Sequence, residues 1–290
     1  MNGFVLLDKA EGITSNQALQ RVKRILKIKK AGHTGSLDPL ATGILPIAMG
    51  EATKFSQFLL DANKHYCVTA QLGARTDTYD KQGKFIAHHV VPKLTAADIA
   101  AILRRFIGKI EQTAPSYSAL KYQGKPLYHY ARQGVAVPLK QRQIEIYQLK
   151  LLDFQVDKFS LQVHCSKGTY IRSLIEDIGL AIGCGAYVTQ LRRTQIDGLD
   201  HRLLCLEAQL KKYIAAQAAL PMVSIEQALK HLPQLNLTKI EAAAIKLGQK
   251  LSKPADDNNV VTLFDENQAF IGIGEYTSAG ELKAKRLLAV

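Results

Sequence analysis

Fifteen residues near the start of the chain constrain its fold more than any other stretch: Gly32-His33-Thr34-Gly35-Ser36-Leu37-Asp38-Pro39-Leu40-Ala41-Thr42-Gly43-Ile44-Leu45-Pro46. Three glycines and two prolines in this run set a backbone path that ordinary residues do not follow. Pro39 restricts Asp38 to an extended backbone, and the Asp-Pro pair favours a turn. One reading is a carboxylate that braces the loop as an Asx-turn. The other is a rigidly held nucleophile or electrostatic stabiliser at a sugar carbon. Ordinary glycoside hydrolysis would need a second carboxylate. Asp77 and Asp80 are available, yet nothing in the sequence brings them to Asp38.

Regular elements surround the loop. Phe4 to Leu7 reads as a short apolar strand. Thr14-Ser15-Asn16-Gln17 is a capping box, and Ala18, Leu19, Val22, Ile25 and Leu26 then repeat at helical spacing. The opposite face carries Arg21, Lys23, Arg24 and Lys27 and leads into the loop. Lys64 to Gly73 reads as a strand, and Thr95 caps a helix with Ile99, Ile102, Leu103 and Phe106 on its apolar face. Phe159 to Ser166 alternates with the period of a half-buried strand. A helix marked by Ile171, Leu174, Ile175, Ile178 and Ile182 follows and stops at Gly183, and Tyr187 to Ile196 returns to strand. Residues 112–142 interleave tyrosines, prolines and basic side chains without periodicity, the pattern of a functional loop. After Pro233 a module of about 55 residues begins, short for a core of its own. Its helix, capped by Thr238, is expected to bury Ile240, Ala243, Ala244 and Leu247. A polar run from Lys253 to Asn259 and strands at Val260–Phe264 and Ala269 to Tyr276 complete it.

Charge supplies the first functional hint. Thirty-eight Lys and Arg against twenty-five Asp and Glu leave a net +13, which points to an anionic partner (nucleic acid, a phosphorylated substrate or a membrane surface) or else to a basic surface that only aids solubility. No apolar run reaches the roughly 18 residues of a membrane span. The start has no basic region ahead of its short apolar stretch, so a cytoplasmic protein is expected. Cys67, Cys165, Cys184 and Cys205 form no CxxC pair, and the eight histidines show no ligand spacing. No metal is expected. A Walker A loop, a GxSxG elbow and a GxGxxG after a strand are all missing.

Several motifs together carry a resemblance that spacing alone does not reveal. The Gly32–Gly43 loop is similar to the signature loop of the TruB family of pseudouridine synthases. So are Asp8-Lys9-Ala10-Glu11-Gly12-Ile13-Thr14-Ser15, Lys64-His65-Tyr66, Lys167-Gly168-Thr169-Tyr170-Ile171-Arg172, and the run from Gly183 to Arg193. They occur in the family's order over essentially the whole chain. Two departures are visible: Ala10 where the family usually has proline, which removes a restraint from the first loop, and Ser36 where Thr or Ala is commoner.

The resemblance implies an α+β fold: a catalytic domain at 1–233, with a mixed, largely antiparallel sheet flanked by helices, and a small β-rich PUA-like RNA-binding module at 234–290. It implies isomerisation of one uridine in the T-loop of tRNA, position 55, without a cofactor. Asp38 matches the catalytic aspartate and Arg172 the arginine that opposes its charge. Tyr66 matches the tyrosine stacked on the target base. Tyr170 and Leu191 match residues lining the uracil pocket. His33 matches a histidine that enters the T-loop where the extruded nucleotide was. Segment 112–142 aligns with an insertion that clasps the RNA. Expected RNA contacts are Lys9, Lys64, Lys121, Arg132, Arg142, Lys167, Arg192 and Arg193. The partner implied is the tRNA T-stem-loop, bound by a monomer with no membrane and no obligate protein partner. Competing readings are a non-catalytic RNA-binding or chaperone protein on the same scaffold and a guide-RNA-dependent synthase acting on ribosomal RNA. The first should have lost the Asp38, Tyr66 and Arg172 set, and the second normally carries longer termini.

Overall fold

The computed structural model describes residues 1–253 and 259–288, so most of the polar run before Val260 lies outside the described residues. A ten-stranded sheet organises the larger part of the chain. Its main path runs Leu204–Cys205, Gly3–Lys9, Thr42–Met49, Ala186–Ile196, Lys64–Leu72, Lys158–Cys165, Gln141–Gln155, Gly108–Thr113. Neighbours on this path are antiparallel, except that Gly3–Lys9 pairs with Leu204–Cys205, and Thr42–Met49 with Ala186–Ile196, in parallel. The sheet is mixed and largely antiparallel.

Side-chain alternation shows that the sheet is buried on both faces at its Gly3–Lys9 and Thr42–Met49 strands. Val5 and Leu7 enter one core with the Ser15–Leu26 and Ile171–Ile182 helices, while Phe4 and Leu6 enter a second core with Ile44, Phe55 and Ile196. A strand covered on both sides reads as a continuous apolar run, as Phe4 to Leu7 does. Across the central strands, in Lys158–Cys165, Phe159, Leu161, Val163 and Cys165 alternate inward. Each large apolar side chain buried this way contributes about 1.5–3 kcal/mol.

The helix ends follow their capping chemistry. Thr14 and Gln17 exchange the two hydrogen bonds of a capping box, as do Thr95 and Asp98 ahead of Ala96–Arg104. The Ile171–Ile182 helix ends at Gly183, whose φ of 96° suits glycine alone without strain.

Beyond Pro233, Gln234–Asn236, Val260–Phe264, Phe270–Tyr276, Glu281–Leu287 and Leu251–Ser252 form a separate five-stranded sheet. Its small core contains Leu237, Ala242, Ile245, Val261, Leu263, Ile271 and Leu282. Ile273 instead joins the core of Phe4, Leu6 and Phe55, and the Phe55 and Phe270 rings meet at 5.8 Å. The module completes its burial against the larger domain.

One expectation fails here. The Lys239–Lys246 helix buries Ala242 and Ile245, while Ile240 is 82% and Leu247 79% exposed. This two-turn helix carries apolar side chains on more than one side, so spacing does not select a face. Docking against Val261 and Leu282 does.

Candidate active site

Few of the bonds that hold the Gly32–Pro46 loop come from the loop itself. Ser15, buried at the start of its helix, accepts from the Leu37 N–H and donates to the Leu37 carbonyl. Gly12 N–H and Lys9 Nζ both reach the Pro39 carbonyl, at 2.8 and 3.5 Å. Lys9 also donates to the carbonyls of Ala10 and Ile13, both at 2.8 Å. These bonds supply the restraint that Ala10, in place of a proline, does not. Gly43, at φ 99°, lies against the Arg193 backbone where its strand pairs with the Ala186–Ile196 strand, and a Cβ there would overlap that backbone.

The loop presents Asp38 to Arg172, the second residue of the Ile171–Ile182 helix. Arg172 Nε and Nη2 donate to the two Asp38 oxygens at 2.8 and 3.1 Å. Nη1 donates to the Thr78 carbonyl at 2.7 Å, and Nη2 also to the Tyr117 carbonyl at 2.8 Å. A bidentate fork sets the plane of the carboxylate as well as its position. Asp80, unplaced by the sequence, stands on the other side, its Oδ2 3.8 Å from Arg172 Nε. Its Oδ1 is already taken by the Thr78 hydroxyl and the Gln82 N–H. Side-chain exposure separates the two acids: Asp38 is 37% exposed, against 6% for Asp80 and 3% for Arg172. Asp38 therefore faces the open site, with Arg172 and Asp80 behind it. Arg172 is not the surface residue that a helix arginine usually is.

A cavity of about 380 Å³ opens over this group and is lined by Asp38, Tyr66, Tyr170, Arg172 and Leu191 together. The volume suits a small ligand. A larger cavity of about 990 Å³ lies between the two sheets and contains none of these residues, so size alone does not select the site. Tyr66 is buried, and burial raises its phenol above the ordinary value, opposed mainly by the charge of Arg193. Arg142 lies over the Tyr170 ring at 5.3 Å. His33 is placed apart from that cavity, in one of about 650 Å³ that also touches Asp38, Tyr117, Tyr128, Arg132 and Arg172. Its Nδ1 is buried without a hydrogen-bond partner among the described residues, and burial followed by the Arg193 charge lowers its pKa. Segment 112–142 forms walls of both cavities through Tyr117, Ser118, Ala119, Leu120, Tyr128 and Arg132.

Three expected RNA contacts are corrected by burial. Lys9 has no exposed surface, and its ammonium is wrapped by backbone carbonyls. Lys64 is likewise buried, donating to the carbonyls of Leu59, Leu60 and Ala62. Arg193 donates to those of Ile44 and Gly35. Spent on carbonyls, none of the three is an outer-surface cation, although Lys64 and Arg193 also border the cavity beside Asp38. Lys121 and Arg132 are exposed. Lys167 is exposed beside Asp61 at 3.1 Å, and Arg192 is half-exposed in a bidentate pair with Asp8.

A carboxylate clamped by a buried arginine stands beside an aromatic-lined pocket, on a mixed sheet with basic surroundings. Comparisons with known proteins supply the family. The family model described as TruB family pseudouridylate synthase (N terminal domain) matches residues 23–171. Two C-terminal models, of tRNA pseudouridylate synthase B and of pseudouridine synthase II TruB, match 172–231 and 233–288. The chain belongs to the TruB family of pseudouridylate synthases. It is 46% identical to the tRNA pseudouridine synthase B of Coxiella burnetii (strain RSA 493 / Nine Mile phase I), over 99% of this chain and 95% of that protein. It is 48% identical to the one from Azoarcus sp. (strain BH72), over 100% and 95%. Among solved structures, an H/ACA RNP bound to a substrate RNA containing 2'-deoxyuridine superposes with a TM-score of 0.76 at 23% identity, covering 99% of this chain and 85% of that one. A Cbf5-Nop10-Gar1 complex gives 0.76 at 24%, over 98% and 84%. At that identity the likeness concerns the fold.

Proposed function

We propose that this enzyme converts the uridine at position 55 in the T-loop of tRNA to pseudouridine, with Asp38 as its catalytic residue. The observation that carries the reading is the Asp38 carboxylate, gripped in the Arg172 fork at the edge of a cavity lined by Tyr66, Tyr170 and Leu191. Substrate and product are isomers, so the reaction needs no oxidant, reductant or group donor. The C1′–N1 bond breaks, the uracil turns in the pocket, and C5 bonds to C1′. C5 then gives up its proton, and N1 gains one.

Each side chain has a physical task in this reading. Asp38 acts at C1′ and must stay charged where water is scarce. Arg172 is its positioning residue, and Asp80 and the Thr78 and Tyr117 carbonyls hold Arg172. Tyr66 stacks on the turning uracil, and Tyr170 and Leu191 close the pocket around it. Keeping water from the broken bond prevents an abasic product. The base must leave the loop to be reached on both faces, and His33 takes its place. Lys121, Arg132, Arg142, Lys167 and Arg192 face the RNA backbone, the last two after exchanging Asp61 and Asp8 for phosphate. The module at 234–290 adds further RNA contact in the manner of a PUA domain. The enzyme acts in the cytoplasm as a monomer with no obligate protein partner.

Incubation with unmodified tRNA transcript, followed by carbodiimide-based mapping, tests the reading. One equivalent of pseudouridine at position 55 is expected. A folded enzyme that leaves the transcript unchanged, or marks another position, overturns it.

A further inference from the structure

Two histidines and an aspartate unused by the reaction meet behind the pocket. His65 and His164 are directly paired across the Lys64–Leu72 and Lys158–Cys165 strands. Successive side chains alternate along a strand, so both rings leave the face opposite to Tyr66. The rings stack at 3.9 Å with 7° between their planes. Asp197, one residue beyond the Ala186–Ile196 strand, takes both: Oδ1 lies 3.0 Å from His65 Nε2 and Oδ2 3.3 Å from His164 Nε2. The donor atoms all lie within 4.8 Å of one another. Among the described residues this is the one such group of three.

We infer that His65, His164 and Asp197 form a binding site for a divalent transition-metal ion of the zinc type, with a fourth position left to water. Tetrahedral bonds of about 2.0–2.1 Å put neighbouring donors roughly 3.3–3.4 Å apart. The two N···O separations, 3.0 and 3.3 Å, are hydrogen bonds to different Asp197 oxygens, so binding would turn the carboxylate and tilt the stacked rings until their donors converge on one ion. Two imidazoles and a carboxylate suit zinc, nickel or copper rather than magnesium or calcium. Entry is open, because the Asp197 side chain is 38% exposed and borders the cavity of about 990 Å³. The aspartate is also anchored, its N–H donating to the Asn63 carbonyl at 3.1 Å. A bound ion would pin the ends of three strands, a structural clip on the face away from Asp38.

Sequence spacing gives no sign of this site, since the three residues lie 99 and 33 positions apart along the chain. Register in the sheet brings them together. The test is calorimetric titration of zinc chloride into the full-length chain after chelator treatment, alongside the visible spectrum with cobalt(II). The wild type should bind one equivalent and melt at a higher temperature with zinc. Cobalt should show the bands of a nitrogen- and oxygen-ligated ion without thiolate charge transfer. Asp197→Asn should weaken binding at least about tenfold and lose the thermal shift, while Cys67→Ser should leave both unchanged. His65→Gln, which keeps a hydrogen-bonding side chain, answers the same question if Asp197→Asn fails to fold. Absence of saturable binding by the wild type leaves a carboxylate-bridged histidine pair only and overturns the inference. Equal binding by the folded variants overturns it too.

Discussion

Arg172→Met removes one guanidinium and strips four hydrogen bonds at once, two of them to Asp38. Asp80, almost as buried as Arg172, loses its nearby cation, and the Thr78 and Tyr117 carbonyls lose their donor. Breaking a buried ion pair by removing one partner costs about 3–5 kcal/mol. Asp38 is partly solvated, so the lower end applies, about 3 kcal/mol. At about 2–4 °C per kcal/mol for a chain of this size, the melting temperature should fall by about 6–12 °C. The rate should fall further than stability explains. Asp38 keeps its charge but not its aim, and lost aim or electrostatic support costs about 10²–10³ in rate. Single-turnover kinetics on one tRNA transcript, run well below the variant's melting temperature, measure this. Arg172→Lys should recover part of the stability and little of the rate, because an ammonium cannot form the planar fork. The Asp38→Asn, Arg172→Met double variant should be scarcely slower than Asp38→Asn, as groups acting together lose their effects together. A folded Arg172→Met enzyme with a near-normal rate would refute the reasoning. So would fully additive losses in the double variant.

Asp38→Asn should abolish isomerisation while tRNA binding by gel shift stays close to wild type, and its melting temperature should fall less than that of Arg172→Met, because Asp80 and the Thr78 and Tyr117 carbonyls still hold Arg172. Affinity for tRNA should fall steeply between low and physiological salt, with about −0.7 added to the log–log slope per phosphate contact on single-stranded RNA; a flat titration would count against a phosphate-rich interface. Phe270→Ala should lower the melting temperature of the whole protein by loosening the module from Phe55, at a cost of at most about 3 kcal/mol, the low end for buried Phe truncations, because Phe270 is only partly buried; a melt confined to the module would contradict that coupling. Burial lowers both Lys9 and Lys64 from 10.5 to about 8. Between about pH 8 and 10.5 the unfolded chain therefore binds more protons at these two sites, so their contribution makes stability rise with pH. Urea unfolding across that range should show a shallower rise in Lys9→Met than in wild type, and equal slopes would rule this out.

Local chemistry made much of this protein legible in its sequence. Thr14 and Gln17, Thr95 and Asp98, and Gly183 mark helix ends through bonds made within a few residues. The alternation from Phe159 to Cys165 states which side chains face inward. The glycines and prolines around Asp38 announce a special loop, and the ordered motifs pick out Asp38, Tyr66, Tyr170, Arg172 and Leu191, which line one cavity.

What the tertiary structure alone decided concerns which groups meet across distance. Lys9, Lys64 and Arg193 read as cations for phosphate, yet long side chains can turn inward: Lys64 onto carbonyls at the end of the preceding Ser56–Asp61 helix, Lys9 onto Ala10, Ile13 and the distant Pro39, and Arg193 onto the distant Ile44 and Gly35. Asp80 comes near Arg172 only when its turn packs against the Ala186–Ile196 strand, where Asp80 bridges to Val188. His65, His164 and Asp197 meet only through the register of three strands. The inward face of the Lys239–Lys246 helix was chosen by the sheet it lies on. Capping, turns and alternation act over a few residues and leave their pattern in consecutive letters. Burial and ion pairing depend on distances set by the whole packed chain, and no single segment contains them.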